Sequence, residues 1–419
     1  MVGFLKKLWR DKRGNTLMIA GAALPLMIGS VGLGTDTIQW ALWKRQLQRS
    51  ADSAAFAGAY ARFQDESSTT AVNQDLLNNK HLWVPLLSSY PQVSEPADTS
   101  TFVRAVEVSL AVQQELSFSS MFMSAAPVIR VTARAAAIDG DDFCVVALED
   151  TNTSGIIIQG SSVINLGCGM ISNSPSASVS VGVNGTAYNV TADPVAGAGD
   201  VPDINGVTRE ISHHLAQLDP FDDLYDTDIP PSVPCGGINS HEVNESPNDP
   251  SVTTLSPGCY SGNNQQFKFN GGSYHLEPGV YYLNNIDFIA TGGTITGTGV
   301  TIVLTGSTPG QVSMNGNASI NLTAPTTGPW AKMLLTQSPN APDSTNANII
   351  NGNAASSFDG TIYFPKQEVK FSGSSGAQTK CAMVVARRVN FEGNANIQNN
   401  TTGCVANSKV RGKVIRLIA

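Results

Sequence analysis

The chain has 419 residues and a formal net charge of −8, with 14% charged and 7% aromatic residues. A general nucleic-acid binder needs a basic footprint that releases counterions from phosphates, so this balance excludes that class. An ordinary soluble domain carries about 25% charged residues; here the charge is sparse, and 39 glycines with abundant Ser, Thr and Asn favour turns and short strands over helix bundles. The length accommodates two or three domains.

A basic segment, residues 1–14 with Arg13 near its end, carries Lys6, Lys7, Arg10, Lys12 and Arg13 against a single Asp11. The stretch 15–35 that follows contains no charged residue. At 1.5 Å per residue a helix over it covers the ~30 Å hydrocarbon core of a bilayer, and Pro25 and the glycines inside it are tolerated in membrane helices. On its far side Lys44, Arg45 and Arg49 are more distant and are offset by Asp36 and Asp52. The positive-inside rule then places the N-terminus in the cytoplasm and the bulk of the chain outside, as a single-pass protein. Ala55-Phe56-Ala57 has the small-x-small form of a signal-peptidase site, but it lies too far beyond the apolar run for ordinary cleavage.

Helical periodicity continues over 36–62, where Ile38, Leu42, Leu47, Ala51, Ala54, Ala55 and Ala59 form an apolar stripe. Residues 63–100 are polar and turn-rich. From Val106 the pattern alternates: Val106, Val108, Leu110 and Val112 share one side, Glu107, Ser109, Ala111 and Gln113 the other, as in a half-buried strand. Further strands are expected at Leu116-Ser117-Phe118 and over 128–137. The span 36–140 therefore reads as a helix followed by strands.

The segment from Arg13 to Ala59 resembles the N-terminal region of TadG-like Flp (tight-adherence) pilus-assembly proteins. The shared points are Arg13-Gly14-Asn15, Pro25, Gly32-Leu33-Gly34, Asp36, Arg45, Leu47-Gln48, Ala51-Asp52 and Ala54-Ala55. The resemblance implies a bacterial inner-membrane protein whose bulk is periplasmic or surface-exposed, a pilin-like α+β stalk over 36–140, and partners among pilus-assembly proteins or pilin-like subunits. Prepilin-like relatives carry Glu at the fifth position after the cleaved Gly; here that position is Ile19, so an uncleaved anchor is expected. Asp98-Thr99-Ser100-Thr101-Phe102 begins like a metal-dependent adhesion loop, but Phe102 occupies its last ligand position, and the metal reading is rejected.

Beyond Asp139-Gly140-Asp141-Asp142 short apolar strands recur between Gly, Ser and Asn turns to the end of the chain. Ile156-Ile157-Ile158 and Ile302-Val303-Leu304 are examples. Units at intervals of about 8 to 12 residues fit a sandwich, a barrel or a solenoid. Few hairpin turns separate them, and Asn corners repeat at 315–318, 351–354 and 393–396. The fold class expected is α+β/all-β: a transmembrane helix and stalk, then a right-handed parallel β-helix over 141–419. A Pro- and Asp-rich insert near 197–260 interrupts it, with a short helix at 211–218. The terminal segment from Lys409 reads as a strand that caps the β domain, or alternatively as a basic contact with an envelope polymer.

Six cysteines lie outside the membrane on this topology, where disulfides form. Cys144/Cys168, Cys235/Cys259 and Cys381/Cys404 have spacings of 24, 24 and 23, so of fifteen connectivities the sequential pairing is expected, each bridge clipping one coil to the next. No Cys-x-x-Cys suggests a metal site. Asp219, Asp222, Asp223, Asp226 and Asp228 lack EF-hand spacing and read as a solvated acidic loop. His213-His214 beside Glu210 reads as surface histidines. Asp287, Asp359, Glu368 and Lys370 are the best available acid cluster for a polysaccharide-cleaving β-helix enzyme, but share no motif. No catalytic residue, cofactor or metal is expected, and the protein is read as a non-enzymatic component of pilus assembly. The alternative is a surface-displayed adhesin or glycan-binding module, for which Tyr274, Tyr281 and Tyr282 are the hint.

Overall fold

The computed structural model describes residues 13–79, 85–185, 187–225, 235, 242–243, 251–262, 266–351, 356–372, 377–400 and 409–418. The chain divides into two compact units, residues 1–138 with 415–419, and residues 139–414.

In the first unit, helix α1 (Arg13–Phe63) is followed by α2 (Ser68–Asn78), whose N-cap Ser67 accepts from the Thr70 amide. Three antiparallel strands complete it: β1 (Gln92–Ser94), β2 (Val103–Gln113) and β3 (Val128–Ala147), with β2 central. The C-terminal half of α1 lies on β2. Leu47, Ala51, Ala54, Ala55 and Ala59 are buried there, opposite Val106, Val108 and Leu110. Small residues let the helix axis come close to the sheet. At Gly58 a Cβ would stand 2.9 Å from both Val106 Cγ1 and Val72 Cγ2. Gly58→Val is therefore expected to lower the stability of this unit by about 1–3 kcal/mol through overpacking, measured as a lower urea midpoint at unchanged m-value.

The second unit is a parallel β-solenoid. Strands such as Gly279–Asn284 and Val300–Thr305 pair in register with the coil after them, Tyr281 opposite Ile302 and Tyr282 opposite Val303. Inward side chains (Val145, Met170, Ile302, Leu335, Ile362, Val384) form one continuous interior, with a cluster of aromatic rings around Phe267, Phe269 and Phe288.

The order of coils along the solenoid axis differs from their order in the sequence. Residues 143–211 form one stack and 252–400 another. The last coil of the second stack pairs in parallel with the first coil of the first stack: Val384 opposite Val145, Val389 opposite Ile156, Ile397 opposite Ile164. The chain thus begins the solenoid in its middle, builds toward one end, and must return along its length to build the other half.

That return accounts for the supposed insert at 197–260. Its two ends belong to the solenoid, since Glu210 pairs with Val195 and Gly258–Ser261 with Tyr281–Asn284. Glu242–Val243 and Val252–Leu255 pair with Phe267–Leu276 as well, whereas the described residues 212–225, with Cys235, form a strap along one outer face. That face carries a ladder running Ala196, Ile171, Val146, Val385, Tyr363, Thr336, Val303, Tyr282 and Cys259. Eight rung spacings of about 4.8 Å give roughly 38 Å, well within the reach of forty residues. The strap follows the ladder in order: His214 meets Phe143, Phe221 meets Tyr363, Tyr225 meets Trp330 and Thr336, and Cys235 is bonded to Cys259. No helix forms over 211–218; Glu210–Ile211 is a strand, Ser212 and His213 make a turn, and the irregular chain after it buries Leu215 and Gln217. A lone strap bonds to the outer edge of a sheet through side chains, as when Gln217 exchanges hydrogen bonds with the Lys413 backbone and the Asn173 side chain, so helical bonding is not needed to satisfy it.

The last strand, Val410–Ile418, does not cap an end of the solenoid. Its first half flanks β3, with Val414 packed on Gly140, while residues 415–419 group with the first unit. The charges of Asp139 and Asp142 draw it there: Lys413 and Arg411 pair with Asp139, and Lys409 lies 3.9 Å from Asp142. Lys409 and Lys413 are thus turned toward the fold, while Arg411 stays 70% exposed.

Candidate functional site

From Met18 to Thr35 helix α1 stands clear of the other described residues except one loop. Leu26, Met18 and Val31 are 75%, 77% and 67% exposed, and the helix is long and apolar enough to cross a bilayer. A helix satisfies its own backbone, which is the condition for immersion in hydrocarbon. In water the same surface would be a large unpaired apolar patch.

The loop that does touch it is the tip of the β2–β3 hairpin. Asp36, 3% exposed, receives the Phe118 amide at 3.0 Å, the Ser119 hydroxyl at 2.6 Å and the Ser119 amide. The Phe118 ring lies directly over Gly32, where any Cβ would collide with it. Asp36 thus caps a 3-10 turn at Ser119–Met121 and fixes the hairpin tip to the end of the apolar run. Asp36→Ala leaves three buried or half-buried donors without their acceptor. It is expected to cost about 1–3 kcal/mol locally, seen as faster hydrogen exchange at the Phe118 and Ser119 amides.

The other residues of the sequence motif have distinct placements. Gly14 and Asn15 lie in the first turn of α1, and Pro25 in its interior. Leu47 and Ala51 are in the helix–sheet interface. Gln48 donates to both Asp52 and the Thr132 carbonyl, tying α1 to β3. Arg45 is exposed. Lys6, Lys7, Arg10 and Lys12 lie outside the described residues, as does the side chain of Arg13.

In the solenoid Cys144 is bonded to Cys168, joining adjacent coils from inside the core. The Cys235–Cys259 bridge joins strap to coil, not coil to coil. Cys381 is also disulfide-bonded; its expected partner Cys404 lies outside the described residues.

The candidate acids do not converge. Asp287 accepts from the Gln311 amide at a coil corner, Glu368 from the Asn390 side chain, and Lys370 pairs with Glu392. Asp359 sits on the same strand as Glu368 and Lys370 but well before them in the sequence. Among the described residues no group of His, Cys, Asp and Glu is arranged to hold a metal. Of the acidic run, Asp226 and Asp228 lie outside the described residues, while Asp219 is not a freely solvated loop residue. It accepts from the Tyr363 hydroxyl at 2.8 Å and the Phe221 amide at 2.9 Å, and burial raises its pKa in spite of these bonds. Nor is His214 a surface residue: it is buried against Phe143, whereas His213 is exposed beside Asp200. The tyrosines that hinted at glycan stacking face inward or under the strap. Tyr274 and Tyr281 are fully buried, and Tyr282 packs on Trp330.

The strand expected at Leu116-Ser117-Phe118 does not form: these residues lead into the 3-10 turn Ser119–Met121, because the Phe118 and Ser119 amides bond to Asp36 and not to a neighbouring strand. Sequence reasoning did not single out the exposed tip 119–125, the path of the strap, or Glu149. Glu149 is completely buried and shared between Arg387 and Arg388. An isolated Glu after an apolar strand, and an Arg-Arg pair over two hundred residues later, are legible only once the coils are stacked.

Comparison with curated proteins returns no match, and neither does comparison with solved structures. Residues 14–61, within the N-terminal helix, match the family model described as putative Flp pilus-assembly TadE/G-like, so this stretch of the chain is similar to a Tad-type segment.

Proposed function

We propose that this protein is a single-pass, membrane-anchored structural or assembly component of a Flp/Tad-type pilus system, acting through protein contacts and not as an enzyme. The observation that carries this reading is the Tad-type segment itself. The matched residues include both the exposed apolar stretch and the Ala-rich stripe that fastens α1 to its sheet. One continuous helix would thus join a bilayer anchor to a folded stalk. The basic cluster Lys6, Lys7, Arg10, Lys12 and Arg13 favours a cytoplasmic N-terminus. The disulfides at Cys144–Cys168 and Cys235–Cys259 suit an oxidising compartment on the other side, the periplasm or the cell surface.

The test is deletion of the gene in a cell that assembles such a pilus, with filaments counted by electron microscopy. Deletion should abolish or sharply reduce filaments. The full chain should restore them, and a chain in which residues 1–35 are exchanged for a cleavable secretion signal should not. Normal filaments in the deletion strain would overturn the proposal. The mass of the chain recovered from membranes decides its manner of use: an intact N-terminus means a standing anchor, whereas a chain that begins at Asn15 is a processed filament subunit.

A further inference from the structure

We propose that the hairpin tip between β2 and β3 is a second membrane contact, a hook whose Met121, Phe122 and Met123 insert into the lipid surface where α1 leaves the bilayer. This rests on the reading of residues 15–35 as a bilayer span.

Three observations converge on a lipid partner. The first is composition: from Leu116 to Ile129 there is no charged residue, with Glu115 and Arg130 as the flanks. The tip presents Met121 and Phe122 at 75% exposure and Met123 at 48%. Three large apolar side chains together in water are unfavourable, and such patches mark interaction sites.

The second is position. The hook is held by Asp36 and lies with its Phe118 ring on Gly32, so it meets α1 over the last turn of the apolar run. Four residues at 1.5 Å span about 6 Å. The hook therefore sits at the depth of the boundary between headgroups and acyl chains, where amphipathic elements bury their apolar side by about 5–10 Å. Its apolar surface is continuous with that of the helix.

The third is hydrogen bonding. A segment entering lipid must satisfy its own polar backbone. The amides of Ser120, Met121, Phe122 and Met123 donate to the carbonyls of Leu116, Phe118, Ser119 and Ser119 respectively. Those of Phe118 and Ser119 donate to the Asp36 carboxylate. The amides of the tip are thus bonded within the protein while its side chains point out.

A hook beside a single helix would restrain tilt and rotation of the anchor, which one helix alone leaves free. It would set the orientation of the stalk on the membrane.

The experiment uses the full chain in vesicles of phosphatidylethanolamine and phosphatidylglycerol. Single cysteines replace Met121, Leu26 or Leu77, each carrying an environment-sensitive fluorophore; among the described residues no native cysteine is free to compete. Leu77 on α2 is exposed and serves as the aqueous reference. Nitroxide lipids quench at shallow or deep acyl positions. The Met121 probe should be blue-shifted relative to the Leu77 probe and lose most of its emission to shallow nitroxides, while the Leu26 probe responds most to deep ones. Asp36→Ala should weaken Met121 quenching and leave Leu26 quenching as it was. A Leu26 probe that no lipid quenches removes the membrane span and the hook with it. A quenched Leu26 beside a Met121 probe that behaves like Leu77 overturns the hook alone. A blue-shifted Met121 probe that no lipid quenches assigns the tip to a protein neighbour, such as a second copy, and also overturns it.

Discussion

Replacing Glu149 with alanine is expected to destabilise the solenoid by about 3–5 kcal/mol, because it leaves two arginines in a low-dielectric site without their shared anion. Glu149 follows β3 in the first coil of one stack. Arg387 and Arg388 lie in the strand Ala377–Glu392, in the last coil of the other. The carboxylate receives Arg387 Nε at 3.2 Å and Arg388 Nε, and its second oxygen takes the Thr151 hydroxyl at 2.6 Å and the Thr151 amide at 3.0 Å. It therefore fastens the seam where sequence-distant coils meet, at the point where no covalent continuity helps. Arg387 retains Asp343 as a second partner, so the Arg388 side chain should lose most. Urea unfolding followed by circular dichroism reads the loss. A change under about 1 kcal/mol, the worth of an exposed pair, would show that the seam is held by strand pairing alone. Replacing all three residues with leucine should recover part of the loss, since apolar packing replaces a buried ion cluster without an orphaned charge.

The same carboxylate makes the seam acid-sensitive. Burial alone would raise its pKa, but the Thr151 and Arg388 hydrogen bonds and the Arg388 charge outweigh that, and it lies below the ordinary 4.5. A depressed carboxylate contributes stability that is present above the unfolded-state pKa and is lost as pH falls through the folded value. Wild type should therefore lose stability in acid more steeply than the Glu149→Ala variant, and the two urea midpoints should converge there.

Tyr225→Ala is expected to weaken the attachment of the strap by about 3–5 kcal/mol, as for truncation of a buried aromatic. Tyr225 is 7% exposed, lies against Trp330 with ring centroids 6.0 Å apart, and bonds Thr336 through its hydroxyl at 3.0 Å. Its removal uncovers the outer ladder at Thr336, Tyr363 and Val303, apolar surface that the solenoid cannot bury by itself. Limited proteolysis should cut the strap near 211–225 far faster than in wild type, while the coils remain folded. Tyr225→Phe keeps the packing and loses the hydroxyl contact, at about 1 kcal/mol. If proteolysis is unchanged in Tyr225→Ala, the strap is held mainly by Cys235–Cys259, whose closure is worth about 3 kcal/mol in the chain-entropy model. Reduction would then release it.

Local pattern carried much of the architecture into the sequence. An uncharged run of bilayer length, a stripe at helical spacing and strict alternation from Val106 to Val112 each depend only on near neighbours along the chain, so α1, β2 and β3 were readable, whereas α2 and β1 lie in the stretch 63–100 that read as polar and turn-rich. Short apolar triplets between glycine and asparagine corners likewise specified a solenoid, because every coil repeats the same local demand. What the sequence could not carry is which coil lies beside which. Parallel pairing between Val384 and Val145 is chemically the same as pairing between any two Val-rich strands. The stacking order depends on the seam ions, the strap's aromatic contacts and the need to cover an outer ladder, all of them long-range. The strap therefore read as an insert, Cys235–Cys259 as a coil-to-coil clip, and Tyr282 as a surface ring. For the same reason Asp36 was legible as part of a motif but not as the acceptor that holds Phe118 and Ser119, eighty residues downstream. Sequence alone determined most of the elements and an apolar run long enough to cross a bilayer; tertiary structure decided the partners, because a side chain's partner is set by where the backbone returns, and no local periodicity encodes that.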